Sequence, residues 1–335
     1  MKHNSSSARS LSRRVSRRAW LRAAAVGAGG LAASTSFSQL LAQDKDKDKP
    51  EAVAKTPVTG LIDAHVHVWT SDIEHFPLAA SYKVEDMQPP SFTPEELWAL
   101  AKPCGVERVV LIQMSFYGFD NSYMLDAMKR FPGKFSGVAV IDGEAAKPED
   151  TMRALAKQGV RGFRIHPGKQ KVDAWLGSPG MAAMWKCGAE ENLAMCPLIG
   201  PEALPALERM CGQFPKTPVV IDHFARIGGD GLIRDVDVEQ LGRLAKFERT
   251  HVKASAFYAF GRKKAPYLDL GSMIRRLRDA YGAERLMWAT DCPYQIQKRH
   301  TYSGSVELIR DKLDFLSVSD KEWMLRKTAE KVFFA

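Results

Sequence analysis

The sequence predicts an α/β protein: one eight-stranded (β/α)8 barrel, preceded by a leader that stands outside the fold. Three observations carry this. Eight short apolar runs rich in β-branched residues recur along the chain with helical patterns between them, which is the mark of repeated βα units and a parallel sheet. Eight strands suffice to close a barrel. Ionisable residues gather at the C-terminal ends of several runs, where barrel enzymes carry their chemistry. An open doubly wound sheet would want a glycine-rich first turn, and none follows Val68.

Residues 1–42 read as an export signal and 43–57 as a solvated linker. Lys2, Arg9, Arg13, Arg14, Arg17, Arg18 and Arg22 all precede the first acidic residue, Asp44. Ser16-Arg17-Arg18-Ala19-Trp20-Leu21-Arg22 resembles a twin-arginine signal, and an apolar run follows from Ala23 to Ala33. That run is too short for a permanent membrane span, and Leu40-Leu41-Ala42 suits cleavage. The expected partner is the twin-arginine export machinery, and the expected location is periplasmic or secreted. The whole chain has 48 Lys and Arg against 39 Asp and Glu; without the seven leader cations, 41 face 39. The barrel is therefore near neutral, which gives no support to a nucleic-acid partner. Five cysteines (Cys104, Cys187, Cys196, Cys211, Cys292) lie at irregular spacing with no CxxC pair, unlike a disulfide framework.

Side chains alternate between faces along a strand, and this rule assigns the inward residues. In 61–68, Asp63, His65 and His67 share the polar face, opposite Ile62, Ala64, Val66 and Val68. In 108–114, Val109, Leu111 and Gln113 align, so Gln113 tips the strand inward. The run 135–141 is apolar. In 160–166, Gly162, Arg164 and His166 face in; 193–199 carries no histidine, and Cys196 is its one thiol. In 219–223, Val219, Ile221 and His223 align. In 252–258, Lys253 and Ser255 align, with Tyr258 beyond them, and in 285–291, Met287, Ala289 and Asp291 align. Between the strands, Thr93-Pro94-Glu95-Glu96 reads as a capped helix start. Helical spacing covers 201–211, 268–281 and 319–333, and the last of these is expected on the outside of the barrel.

Two imidazoles two residues apart can grip one metal ion or one substrate group. Asp291 is a carboxylate placed to activate water. Arg164 and Lys253 are inward cations able to hold a substrate carboxylate; the alternative for them is a structural ion pair with Asp63 or Asp142. Trp69 and Tyr258 suit either an apolar wall or core packing.

Taken together, Asp63-Ala64-His65-Val66-His67-Val68-Trp69, Gly159-Val160-Arg161-Gly162-Phe163-Arg164, Val220-Ile221-Asp222-His223 and Met287-Trp288-Ala289-Thr290-Asp291-Cys292-Pro293 resemble the amidohydrolase superfamily, in its amidohydrolase-related branch. Ala329-Glu330-Lys331-Val332-Phe333 resembles that branch's closing helix. Within it, the chain is most similar to lactone hydrolases acting on 2-pyrone-4,6-dicarboxylate or sugar lactones. The resemblance implies a distorted (β/α)8 TIM barrel over residues 58–335. It implies His65 and His67 as metal ligands or polarising groups, His223 as a ligand or carbonyl-polarising group, and Asp291 as water-activating base and further ligand. Arg164, His166, Lys253, Gln113 and Tyr258 would contact a small, carboxylated substrate. One divalent metal, zinc first, is expected, or none, and no organic cofactor. The chain departs from many members in lacking a fifth-strand histidine and a fourth-strand lysine for a bridging carbamate, which argues against a binuclear site.

The expected activity is hydrolysis of a lactone or similar carbonyl compound by Asp-activated water. A metal-dependent decarboxylase of an unsaturated carboxylate is the enzymatic alternative, and the missing fifth-strand histidine speaks against it. A non-catalytic periplasmic binding protein is the alternative of another class. It would have no use for a water-activating carboxylate.

Overall fold

The computed structural model describes residues 58–168 and 170–335, so the export signal and linker expected over residues 1–57 lie outside the described residues. Eight parallel strands follow one another in order around a single sheet: β1 Leu61–Val66, β2 Val106–Ile112, β3 Phe135–Ala139, β4 Val160–Ile165, β5 Ala194–Pro197, β6 Val219–Ile221, β7 Thr250–Ser255 and β8 Leu286–Ala289. All eight predicted strands are present. Their C-terminal residues leave the ladder earlier than the apolar runs suggest, which frees the functional side chains from sheet pairing. Closure is made just past β8, where the Asp291 amide donates to the His65 carbonyl at 2.9 Å and the His67 amide to the Cys292 carbonyl at 2.9 Å.

Helices return the chain between strands: α1 Pro94–Ala101, α2 Ser122–Arg130, α3 Pro148–Ala156, α4 Val172–Leu176, α5 Pro179–Glu191, α6 Leu204–Gln213, α7 Asp235–Arg243 and α8 Gly271–Tyr281. After β8 come α9 Tyr302–Glu307, α10 Val318–Glu322 and α11 Thr328–Phe333. The start of α1 is a capping box: the Glu96 amide donates to Thr93 Oγ1 at 3.3 Å, and the Thr93 amide donates to Glu96 Oε2 at 2.6 Å. No helix among the described residues is long and apolar enough to cross a membrane. The five cysteines are free thiols.

Two cores result. The larger lies between strands and helices. The smaller fills the barrel shaft with Ile62, Ala64, Val110, Ile112, Val138, Ala194, Cys196, Val220, Met287 and Ala289. On β7 the shaft position is taken by Lys253, which is fully buried. The expectation for the last helix is corrected here. Ala329 and Phe333 of α11 do not stay outside; they join the shaft cluster and plug it from below. The Phe333 ring lies under Lys253, with Nζ 5.6 Å from the ring centroid, a cation–π distance.

The alternation rule holds on β4, β7 and β8 and fails on three strands. In β1 the pairing register shifts between Asp63 and Val66. The extra residue of such a bulge reverses the phase, so Ile62 and Ala64 face the shaft while His65 and His67 still point to the site. In β2 the inward residues are Val110 and Ile112; Val109 and Leu111 pack outward. In β6 the inward residue is Val220. His223 is nevertheless delivered, because residues 223–226 form a left-handed turn with φ of 51°, 53°, 52° and 58°.

Replacing Phe333 by Ala removes a buried ring from a closed shaft and is expected to cost about 3–5 kcal/mol, read by urea unfolding. Phe333→Leu is expected to cost less than half as much.

Candidate active site

Strand ends bring His65, His67, His223, Asp291, Arg164 and Tyr258 together at the C-terminal mouth. They border an open cavity of about 480 Å³, except His65, which lies just beneath it. Asp291 Oδ1 is the hub. It lies 3.3 Å from His67 Nε2, 3.5 Å from His65 Nε2 and 3.8 Å from His223 Nε2. Its other oxygen accepts a hydrogen bond from the Tyr258 hydroxyl at 2.6 Å.

The partners of the other ring nitrogens set the tautomers. His67 Nδ1 faces the Ile112 carbonyl at 2.9 Å and must donate to it. His223 Nδ1 faces Ser255 Oγ at 2.8 Å, and that hydroxyl points its own proton at the Lys253 carbonyl, 3.4 Å away. His65 meets cations at both nitrogens: Arg164 Nη2 is 2.8 Å from Nε2, and Lys253 Nζ is 3.2 Å from Nδ1. A neutral ring accepts at only one. Asp222 Oδ1, 3.2 Å from Nδ1, is the acceptor that places the proton there, leaving Nε2 to accept from Arg164.

Three Nε2 lone pairs and a carboxylate oxygen thus converge. Lone pairs at this spacing repel unless a proton or a cation lies among them. His65, His67 and Asp291 offer ligand atoms within 4.8 Å of one another, a set able to hold a metal ion. Two imidazoles and a carboxylate fit a zinc-type ion by donor chemistry, with Arg164 competing for the His65 lone pair. Cys196 offers no thiolate, since it is sealed in the shaft, where burial pushes its thiol up to about 12.

Beneath the hub lies a buried ion cluster. Asp222 Oδ1 is 3.0 Å from Lys253 Nζ, and Oδ2 is 3.1 Å from Arg164 Nη2. Burial alone would raise Asp222; Lys253 first, then His65 and Arg164, reverse this and hold it well below the usual carboxylate range. Burial, then Lys253, pushes His65 far down. Burial lowers His223 to about 4 in spite of Asp291 and Asp222. Burial also opposes ionisation of Asp291, but attraction to His223 first, and then to the other two imidazoles, outweighs it and holds the carboxyl low. Burial and the adjacent Asp291 push the Tyr258 hydroxyl far up, so it keeps its proton.

Several expectations are corrected. Gln113 points away from the mouth and donates to the Asp120 carbonyl outside the barrel; Met114, one residue on, lines the cavity instead. Lys253 is fully buried under the site and cannot meet a substrate directly. His166 is exposed and borders a second cavity rather than the cluster. Arg164 pairs with Asp222, not with Asp63 or Asp142. Trp69 is buried against Phe116 and Tyr294.

Asp63 leaves the site altogether. It accepts from the Thr290 amide at 2.9 Å, Thr290 Oγ1 at 2.5 Å and the Tyr302 hydroxyl at 2.7 Å, stitching β1 to the end of β8 and to α9. Burial without a contacting cation raises its carboxyl to about 6. Alternation alone misses Asp222, although an acid immediately before a strand-end histidine is a readable signal. Tyr294 and Arg226, on the loops lining the cavity, carry no such signal.

The amidohydrolase family profile matches residues 62–335. This chain belongs to the amidohydrolase family. It is 30% identical over 255 residues to a 2-pyrone-4,6-dicarboxylate hydrolase of Comamonas testosteroni, covering 72% of this chain and 79% of that relative. It is 27% identical over 242 residues to an L-fucono-1,5-lactonase of Burkholderia ambifaria, covering 70% and 81%. Among solved structures, an amidohydrolase from Burkholderia multivorans with bound zinc superposes with a TM-score of 0.69 at 17% identity, covering 82% of this chain and 99% of that one. At that identity the likeness is one of fold. It is the barrel of the amidohydrolases that positions the cluster here.

Replacing Asp222 by Asn leaves two buried cations without their counter-charge and is expected to cost about 3–5 kcal/mol, measured by denaturant unfolding. Pairing Asp222→Leu with Lys253→Met is expected to recover a large part of that loss.

Proposed function

We propose that this protein is a hydrolase that opens a lactone or related cyclic ester, with Asp291 as the base that takes a proton from the attacking water. The observation carrying this reading is the placement of Asp291 Oδ1, 3.3–3.8 Å from three imidazole Nε2 atoms. The activities named for the two curated relatives, hydrolysis of a pyrone and action on a sugar lactone, support it.

Tyr258 holds Oδ2 and leaves Oδ1 free to accept a proton. Water adds to the carbonyl carbon as its proton passes to Oδ1. The carbonyl oxygen becomes an oxyanion and needs donors aimed at it. Arg164 is the group that supplies them, and it also suits a substrate carboxylate. The ring C–O bond then breaks, and the leaving oxygen takes the proton back from Asp291, giving an open-chain hydroxy acid. One divalent ion, zinc by donor type, would be held by His65, His67 and Asp291, with His223 beside them. When bound, it would polarise the carbonyl and acidify water. Lys253 acts at a distance, by holding Asp222.

On a panel of pyrone and sugar lactones, Asp291→Asn is expected to lower kcat by about 10²–10⁴-fold; unchanged turnover would remove Asp291 from the role of base. Because His223 sits at about 4 and Asp291 is held low, wild-type kcat/KM is expected to stay flat between about pH 6 and 8 and to fall only in acid, as these groups take up protons. Tyr258→Phe removes a donor to the ionised carboxylate, which raises its pKa, so the acid limb is expected to move to higher pH.

We also propose that residues 1–42 direct export through the twin-arginine route to the periplasm or beyond. Arg17→Lys with Arg18→Lys is expected to retain the protein in the cytoplasm, as read by fractionation.

A further inference from the structure

A second cavity, about 540 Å³, opens on the same face beside the first, between the loops after β3 and β4 and the start of α5. Arg164 borders both cavities. Its Nη2 is committed inward to His65 and Asp222, while its buried Nε makes no hydrogen bond among the described residues.

The polar groups of the second cavity's wall are largely spoken for. Gln170 Nε2 donates to Glu144 Oε1 at 2.8 Å, joining the two loops. Asp142 Oδ1 accepts the Glu144 amide at 2.9 Å, and Ser178 Oγ accepts the Met181 amide at 3.2 Å. Partial shielding from water first, then Arg164, lowers His166 and favours its neutral form. Among the described residues, the larger part of the wall is apolar, from Ile141, Trp175, Met181 and Met184 with Phe119 at the rim, and the second oxygens of Asp142 and Glu144 stand beside it. Phe119 is 60% exposed, so its ring is free to meet a guest at the cavity's rim.

We propose that this second cavity is a subsite for an apolar arm, alkyl or aryl, carried by the substrate on the side of its reacting ring that faces Arg164. The inference rests on the reading that the reacting ring lies in the first cavity against Asp291. It narrows the substrate class from lactones in general to lactones with a carbon substituent several atoms long. Thioether and indole side chains suit a flat or flexible guest, because both make dispersion contact without demanding a polar partner.

The test has a kinetic arm and a binding arm, both on the full chain. In the kinetic arm, δ-valerolactone is compared with its 5-butyl and 5-phenyl derivatives. Wild type is expected to favour the substituted lactones in kcat/KM by about 10-fold or more, since each buried methylene is worth about a factor of four. Phe119→Ala, at an exposed rim position, is expected to reduce that preference several-fold while leaving δ-valerolactone unchanged. Met181→Trp, which fills the cavity, is expected to abolish it. In the binding arm, calorimetry compares propanoate with 3-phenylpropanoate, neither of which can be hydrolysed. The aryl acid is expected to bind about 10-fold tighter; Phe119→Ala is expected to reduce the difference several-fold and Met181→Trp to erase it. Equal binding of the two acids, or a preference that survives both variants, overturns the subsite even if lactones are hydrolysed. Tighter aryl binding with no lactone turnover upholds the subsite and sinks the lactonase reading instead.

Discussion

The site depends on one buried carboxylate. Asp222 is fully enclosed, yet it is matched on its two oxygens by Lys253 and Arg164 and bordered by His65 Nδ1. An isolated charge there would be prohibitively costly. The match of two cations to the two anions Asp222 and Asp291 keeps the mouth near neutral. It also dictates chemistry one layer up: Asp222 fixes the His65 proton on Nδ1, which turns the Nε2 lone pair toward Arg164 and the hub. Arg164 is held in the same stroke, with one edge locked inward.

The backbone at the mouth is bent on purpose. His223, Ala256 and Asp291, at the ends of β6, β7 and β8, all adopt left-handed conformations, with φ of 51°, 53° and 67°. Each costs on the order of 1–2 kcal/mol for a residue with a Cβ. Strand geometry alone would send His223 outward; the left-handed turn sends it in and sets Asp291 Oδ1 within its reach. Strain of this kind persists where surrounding contacts over-determine it, and Ser255 and Tyr258 supply two such contacts.

Much of this was legible in the sequence. The eight apolar runs named the strands, and His65, His67 and Asp291 at strand ends named the hub. Inward phase was readable on β4 and β8, because Gly162-Phe163-Arg164 and Trp288-Ala289-Thr290-Asp291 mix polar with apolar residues. It was not readable on β2 and β6. Val109-Val110-Leu111-Ile112 and Val219-Val220-Ile221 are buried on both faces, as parallel strands are, so composition holds no phase. Alternation turns Gln113 inward for that reason, whereas its amide meets the Asp120 carbonyl. His223 reaches the site not by alternation but by a turn that has no signature in Asp222-His223-Phe224-Ala225-Arg226. The bulge at Ala64-His65 was equally silent, and with it the move of Asp63 from the site to the seam.

The plug formed by Phe333 ties together distant parts of the barrel's sequence. Ile62 and Ala64 come from its first strand, Ala329 and Phe333 from its last helix, and all four share one shaft with the ammonium of Lys253 above them. Until that helix docks, the cation is open to solvent from below and its carboxylate partner is stranded in a half-made interior. The far end of the chain thus reaches the reactive mouth through a single ammonium group, which the Phe333 ring touches from one side and the Asp222 carboxylate from the other.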